Sequence, residues 1–168
     1  MKTVKAIAVV AFTTASAAFA AEGQTPPKPS QTTETFGAWT VRCVGDAQKN
    51  CEALQVINSQ AGTLAEIAIA LPSGRDEAVI AGRAPLGVSI SEPMRFGEKD
   101  SAEAIEIDYV TCVSQGCLAQ AKVPAAGLWS LADKKTGNLT IREHSGRVYQ
   151  ITVSLDGLKD ALTRLGAV

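Results

Sequence analysis

The chain has 168 residues, with 16 basic and 17 acidic side chains and a formal net charge of −1. This length suits one domain that buries a single hydrophobic core. Binding to nucleic-acid phosphates requires clustered lysines and arginines, and the charge run Asp133–Lys135 contains only two lysines. The composition therefore argues against a nucleic acid as partner.

The first 20 residues have the pattern of a cleaved secretory signal. Lys2 and Lys5 form a basic start, an apolar stretch follows, and Ala18-Phe19-Ala20 is a small-x-small cleavage site. The apolar stretch is shorter than the roughly 18 residues that a membrane span needs, and no later segment reaches that length. We therefore expect an exported protein without a transmembrane segment after cleavage, in the periplasm, at the outer membrane or secreted.

Residues 21–33 read "AEGQTPPKPSQTT", and three prolines lie within four positions of this segment. Prolines favour the polyproline II conformation, and no apolar side chain here could anchor the segment to a core. The pattern predicts a disordered or extended leader at 21–33, followed by a single domain at 34–168.

Alternation of apolar and polar residues with a period of two dominates from Phe36 onward and predicts about eight to ten short strands. In chain order the predicted strands are "AWTVRCV" (38–44), "CEALQVIN" (51–58), "TLAEIAIAL" (63–71), "EAVIAG" (77–82), "GVSIS" (87–91), "EAIEIDYVTC" (103–112), "CLAQAKV" (117–123), "NLTIREH" (138–144) and "RVYQITVSL" (147–155). The last two flank Ser145-Gly146, which predicts a hairpin turn.

Two segments have helical character. "AGLWSLADKK" (126–135) predicts a short helix that covers one end of the core. "DGLKDALTRLG" (156–166) has Asp156 as a candidate N-cap, Gly166 at the C-cap position and an apolar stripe formed by Leu158, Ala161, Leu162 and Leu165. Many short strands with few helices indicate an all-β antiparallel sandwich with a short C-terminal helix.

The sequence shows no catalytic constellation. Its one histidine, His144, lies beside the predicted hairpin turn, and no GxSxG motif or phosphate-binding glycine loop follows any strand. Glu103, Glu106 and Asp108 are acidic neighbours, but Glu106 and Asp108 share one face of a strand, which we interpret as the solvated face. We therefore predict no catalytic residues and no cofactor.

Four cysteines remain: Cys43, Cys51, Cys112 and Cys117. Their gaps do not match the short CxxC spacing of structural zinc sites, so no metal is predicted, and an even number in an exported domain indicates disulfides. Four cysteines allow three connectivities. Local pairing, Cys43–Cys51 and Cys112–Cys117, is favoured because it closes two hairpin-like loops, and Gly116 gives the tight second loop its backbone freedom.

An ordered set of segments resembles the invasion-associated locus B family of exported bacterial proteins. The set comprises "FGAWTVRC" (36–43) followed by Cys51, "APLGVSI" (84–90), "IDYVTCVSQGC" (107–117) and "VSLDGLKDALTRL" (153–165). The resemblance implies an immunoglobulin-like β-sandwich with disulfides and an envelope-associated protein, linked in pathogenic members to host-cell invasion. Trp39 and the cysteines match the family pattern as structural residues. Tyr109 departs from it, because glycine is expected there, so the local turn is expected to differ.

These observations favour a non-enzymatic binding module whose partner is an envelope protein or glycan. The candidate binding residues lie in two predicted loops, Arg75 and Asp76 in "SGRDE" (73–77) and Met94, Arg95 and Phe96 in "PMRFGEKD" (93–100). An envelope-acting enzyme, either a polymer hydrolase that uses Asp and Glu or a thiol–disulfide protein, is the alternative. A purely structural or chaperone-like envelope factor is not separated from the binding module by sequence. The sequence does not specify the oligomeric state.

Overall fold

The computed structural model of the protein describes residues 31–45, 50–60, 62–72 and 76–166. The predicted signal peptide and the leader up to residue 30 lie outside these residues. Within them the elements are β1 Gln31–Phe36, β2 Trp39–Val44, β3 Asn50–Ser59, β4 Gly62–Ala70, β5 Glu77–Ala84, β6 Met94–Gly97, β7 Ile105–Val113, β8 Gly116–Pro124, α1 Ala125–Ala132, β9 Thr136–Arg142, β10 Val148–Ser154 and α2 Leu158–Leu165. Neither of these two helices is long and apolar enough to cross a membrane.

The strands pair antiparallel in the order β1-β2-β3-β4-β5-β8-β7-β6-β9-β10. Strand β7 belongs to two layers, because its start pairs with β6 and its remainder, from Asp108, pairs with β8. The register shifts between Tyr109 and Thr111, and such a bulge bends a strand. Tyr109 thus lies at a bulge within a strand, and no turn occurs at that position.

The bend at β7 brings the two layers face to face. Gly82 of β5 lies against Met94 of β6, so closely that an added Cβ would overlap the Met94 sulfur. Inward-facing residues of both layers form one core, whose largest fully buried side chains include Trp39, Ile67, Ile69, Ile80, Met94, Phe96, Ile107, Leu128, Leu139 and Leu162. The predicted fold class, an immunoglobulin-like antiparallel β-sandwich with a short C-terminal helix and two disulfides, is confirmed.

The start of β1 and the segment 87–91 differ from what the sequence pattern predicts. Strand β1 begins at Gln31, inside the leader predicted to reach residue 33, because the backbone of this exposed segment pairs along its whole length with β2. The predicted strand "GVSIS" (87–91) forms only an isolated bridge between Val88 and Glu143. Its second apolar residue, Ile90, is 64% exposed, so the alternation at this segment does not reflect a buried face.

Helix α2 buries the predicted apolar stripe of Leu158, Ala161, Leu162 and Leu165, and it packs on β1, β2 and β3. Its N-cap is Gly157 and not Asp156, and no side chain of the described residues caps the helix. Gly157 has a φ of 82°, and an added Cβ would overlap the carbonyl oxygen of Phe36. Only glycine satisfies both the left-handed conformation and this close approach.

A buried polar seam joins the first hairpin to the end of β10. The Trp39 indole donates to the Ser154 carbonyl at 3.0 Å, and the Gln55 side-chain amide donates to the carbonyls of Ala38 (3.1 Å) and Ser154 (2.9 Å). The backbone N–H of Ala38 donates to the Asp156 carbonyl at 3.0 Å. The two ends of the strand order are therefore tied together.

Replacing Gly157 by alanine is expected to lower the free energy of unfolding by about 2 kcal/mol or more. An L-residue in the left-handed region costs ~1–2 kcal/mol, and the added methyl group must also displace backbone atoms of the seam. Gly127 is the matched control, because it lies inside α1 without a positive φ and no described residue beyond its own helix turns lies within 4 Å of an added Cβ. G127A is expected to raise stability by about 0.5–1 kcal/mol. Urea unfolding followed by tryptophan fluorescence measures both variants, and equal stabilities would contradict the close packing at Gly157.

Candidate functional site

The structure pairs Cys43 with Cys51 and Cys112 with Cys117, and the described residues contain no free cysteine. Both disulfides join residues that lie directly opposite each other in antiparallel strands, with Cα separations of 4.0 and 3.9 Å. This is the local pairing that the sequence favours. The segment "CVSQGC" is thus the tip of a β-hairpin, and its disulfide joins the two strands next to the final pair Val113↔Gly116.

The predicted binding loop at 93–100 requires a correction. Met94 and Phe96 are 0% exposed, because "MRFG" forms strand β6 and turns both side chains into the core. Arg95 faces outward, with its Nε 3.6 Å from Glu106 Oε1. Met94 and Phe96 therefore cannot contact a partner.

The other predicted loop is only partly described, since Arg75 lies outside the described residues. Asp76 is exposed, and its carbonyl accepts the backbone N–H of Ala125 at 2.9 Å, which connects the start of β5 to α1. This contact gives Asp76 a structural role. The structure does not bring Asp76 together with Arg95.

The acidic residues Glu106 and Asp108 form a solvated face of β7, in agreement with the interpretation of the sequence. Glu106 and Asp108 are exposed, as the alternation along β7 predicts, and Glu106 is the neighbour of Arg95. His144 is also exposed, at the β9–β10 turn, where its backbone N–H donates to the Gly87 carbonyl at 2.8 Å. Within the described ranges, no three His, Cys, Asp or Glu side chains converge as a metal site would require.

An apolar cavity opens between the two layers at the end of the sandwich where the β9–β10 hairpin lies. It has a volume of about 170 Å³, and we call it the apolar mouth; its lining is Leu64, Pro85, Leu86, Gly87, Val88, Ile141, Glu143, Tyr149 and Ile151. Ile141 and Ile151 form its buried floor, with exposures of 2% and 8%. At its opening, Leu86 is 59% exposed and Tyr149 is 36% exposed. The mouth thus presents aliphatic surface to solvent.

Backbone hydrogen bonds position the segment after β5 over the mouth. Ser89 N–H donates to the Arg142 carbonyl at 2.8 Å, next to the bridge between Val88 and Glu143. The Arg142 Nε donates to Glu92 Oε2 at 2.6 Å. The segment is therefore held against the β9–β10 hairpin although it forms no strand.

A small polar network fixes the rim of the mouth at Tyr149. The Tyr149 hydroxyl donates to Glu143 Oε1 at 3.3 Å and accepts from Arg147 Nη1 at 3.2 Å, and the Ser145 hydroxyl donates to Glu143 Oε2 at 2.5 Å. The Arg147 guanidinium also lies 5.9 Å from the centre of the Tyr149 ring. This network orients an aromatic side chain at the edge of an aliphatic cavity.

The pKa of Glu143 is held below its ordinary value by this network. The hydrogen bond from Ser145 has the largest effect, and the charge of Arg147 and the Tyr149 hydroxyl act in the same direction against a contribution from burial. Glu143 is therefore a carboxylate at neutral pH and accepts both hydrogen bonds.

Tyr109 is a different case. Burial raises the pKa of its phenol to about 12, and its buried hydroxyl has no hydrogen-bond partner among the described residues. The phenol therefore stays neutral at physiological pH, and its ring packs against the core.

A second hollow, of about 460 Å³, is polar and more open; it lies beside Lys99, Lys134 and Lys135. The Lys134 ammonium is 3.0 Å from Glu98 Oε1, so an acidic neighbour already compensates part of this positive charge. Exposed lysines with an acidic partner do not make an anion site, and the apolar mouth is the better candidate.

Sequence reasoning missed the mouth, because its residues come from separate segments: β4, the segment after β5, β9 and β10. One feature of the sequence pointed to the segment that covers the mouth. "APLGVSI" belongs to the resemblance, and its Leu86 and Ile90 are exposed apolar residues in a segment that forms no strand.

The fold and its two cross-strand disulfides define a small antiparallel β-sandwich of the disulfide-stabilised class. A family model described as Invasion associated locus B (IalB) protein matches residues 39–166. Invasion protein B of Bartonella bacilliformis is 31% identical over 147 residues, which cover 83% of this chain and 77% of that protein. The chain therefore belongs to the invasion-associated locus B family, as the resemblance predicted.

A solved structure supports the fold independently. The crystal structure of invasion associated protein B from Bartonella henselae matches with a TM-score of 0.70 at 23% identity. The match covers 81% of this chain and 96% of that chain. At this identity the likeness concerns the fold.

Replacing Ser145 by alanine is expected to raise the pKa of Glu143 toward the ordinary glutamate value, because the variant loses the hydrogen bond with the largest effect. In the wild-type protein the folded pKa is depressed, so the carboxylate stabilises the fold above the unfolded pKa, and this contribution is lost as pH falls through the folded pKa. Carbon-13 NMR of the Glu143 carboxyl group measures both titrations. Ser91→Ala is the control, since the Ser91 hydroxyl pairs with that of Ser89. Identical Glu143 titrations in wild type and S145A would contradict the network.

Proposed function

We propose that this protein is an exported, non-enzymatic binding module, and that its apolar mouth accepts one apolar side chain of an envelope protein. The observation that carries the proposal is the exposed aliphatic opening at Leu86 over a buried floor of Ile141 and Ile151. Exposed apolar surface around a concave site is typical of protein interaction sites.

The size of the mouth favours a side chain over a small-molecule substrate. Ligand pockets usually have volumes of roughly 300–1,000 Å³. The mouth encloses about 170 Å³, which is close to the ~150 Å³ of a cavity that holds one benzene molecule. One leucine, isoleucine or phenylalanine side chain fits this space, whereas a cofactor does not.

The rim of the mouth would orient the partner's side chain, and burial of that side chain against the floor would provide affinity. Burying one large apolar side chain gains about 1.5–3 kcal/mol. Tyr149 offers a rigid ring held by hydrogen bonds, and Glu143 and Arg147 place opposite charges beside it. Aromatic and arginine side chains are enriched in protein interfaces, which supports a protein over a glycan as the partner.

The enzyme alternatives gain no observation in their favour among the described residues. The acidic residues of β7 face solvent, and both disulfides join paired strands, whereas a thiol–disulfide enzyme typically has a CxxC pair at a helix N-terminus. The names of the relatives support a protein that acts where a bacterium meets other cells. We propose the mouth as the functional surface. We propose an envelope location from the signal pattern of residues 1–20.

Export is tested by fusing residues 1–20 to an alkaline phosphatase that lacks its own signal. The fusion is expected to be active, since this enzyme needs the disulfides of an oxidising compartment, and a fusion without residues 2–20 is expected to be inactive. Mass spectrometry of the protein itself is expected to find Ala21 as the first residue. A mature protein that still begins at Met1 would contradict cleavage.

Binding is tested with wild-type protein, Leu86→Asp and the matched control Val56→Asp. Both positions are exposed apolar residues, at 59% and 42%, but Val56 lies on β3 and does not line the mouth. Each mature protein is immobilised and incubated with envelope extract, and the captured protein is purified for affinity measurement. L86D is expected to bind at least about tenfold more weakly, which corresponds to ~1.4 kcal/mol, and V56D is expected to bind like wild type.

Three outcomes contradict the proposal. Equal affinity of L86D and wild type would place binding away from the mouth. Capture of a polysaccharide in place of a protein would show that the partner class is wrong. Recovery of no reproducible partner in repeated extracts would count against a binding module.

A further inference from the structure

We propose that the Cys112–Cys117 disulfide is a site of reversible thiol–disulfide exchange with an external dithiol, while Cys43–Cys51 is closed to exchange. The two bonds share the same cross-strand register, so their local geometry does not separate them. The two disulfides differ in their surroundings. This exchange would modify the protein itself and is independent of what the mouth binds.

The exposure of the cysteine residues differs between the two disulfides. Cys43 and Cys51 are 3% and 8% exposed and belong to the hydrophobic core. Cys117 is also buried, at 2%, but Cys112 is exposed. Exchange begins with attack of a thiolate on one sulfur, and its rate depends on which sulfur can be reached. Cys112 is therefore the point of attack.

The hairpin explains why only one of its cysteines is exposed. Cys117 pairs with Ala84 of β5, and Gly116, with a φ of 134°, lies so close to the Ala84 carbonyl that an added Cβ would overlap it. The start of β8 is thus pressed onto β5. Cys112 lies in the last part of β7, whose strand partner among the described residues is β8.

The exchange conserves atoms and electrons. A thiolate of the dithiol attacks Sγ of Cys112, a mixed disulfide forms, and the bond to Cys117 breaks, so that Cys117 leaves as a thiolate and takes up a proton. The second thiol of the dithiol then attacks the first sulfur of the same dithiol, which is bonded to Cys112. The cyclic disulfide of the dithiol forms, and Cys112 leaves as a thiolate that takes up a proton. The protein gains two electrons and two protons, and the dithiol is oxidised to its disulfide.

The same hairpin makes the exchange reversible. The flanking pair Val113↔Gly116 and the ladder along β7 and β8 hold the two thiols opposite each other after reduction, since these backbone contacts do not depend on the S–S bond. A disulfide of the surroundings can therefore restore the Cys112–Cys117 bond.

The test is limited reduction of the folded protein with dithiothreitol, followed by alkylation and peptide mass spectrometry. Cys112 and Cys117 are expected to be labelled at least about tenfold faster than Cys43 and Cys51. In denaturant the two pairs are expected to react at similar rates, which normalises for the reagent. Equal rates in the folded protein, or faster labelling of Cys43 and Cys51, would overturn the proposal.

Single variants test the direction of attack. Cys117→Ser leaves the exposed Cys112 thiol, which is expected to form a mixed disulfide rapidly with glutathione disulfide. Cys112→Ser leaves the buried Cys117 thiol, which is expected to react at least about tenfold more slowly. Because each variant lacks the same bond, a general loss of stability affects both alike. Equal reactivity of the two thiols would refute Cys112 as the point of attack, whatever the mouth binds.

Discussion

The sandwich depends on a buried hydrogen-bonded seam at the carbonyl of Ser154. The Trp39 indole and the Gln55 amide both donate to this oxygen, and these side chains are 0% and 7% exposed. Strands β1 and β10 stand at the two ends of the strand order, so no backbone ladder joins them. Buried side-chain donors make the connection instead, and a buried carbonyl left without a donor would cost about 1–3 kcal/mol. Helix α2 then covers this junction, and its Arg164 donates to Glu34 of β1 at 2.9 Å.

Strand β10 links the seam to the candidate site. Ser154 lies in the seam at its end, Val153 is fully buried in the core, and Ile151 and Tyr149 line the mouth. At the Ser154 end, the buried Trp39 and Gln55 side chains are tied to the Ser154 carbonyl by hydrogen bonds. At the Tyr149 end, the space between the layers is lined by aliphatic side chains and covered by a segment that forms no strand. The mouth is thus the end of the core that the fold leaves open.

Much of the fold could be predicted, because strand alternation and helix stripes are local properties of the chain. The apolar stripe of α2 and the cross-strand cysteines needed no knowledge of distant residues. Other features needed it. Met94 and Phe96 lie between Pro93 and a charged turn, a pattern that is typical of a loop. The four-residue strand β6 is defined only by its pairing with β7 and β9, which come later in the chain. Strand β1 has an almost fully exposed burial pattern and is defined by its pairing with β2. The mouth combines separate segments, and no local pattern predicts their convergence.

Burial, and not loop length, separates the two disulfides. Their sequence separations are 8 and 5 residues. The loop-entropy relation gives about 2.5 and about 2 kcal/mol for loops of these lengths, a difference too small to assign them different structural weight. Both Cys43 and Cys51 contribute packing, since they belong to the core formed with β2 and β3, whereas in the second pair Cys117 is buried and Cys112 is exposed. Loss of the first bond therefore removes a cross-link between two buried residues, while loss of the second removes a cross-link with only one buried end. Opening of the second bond is thus the smaller disturbance of the core, because the pairs between β7 and β8 do not depend on it.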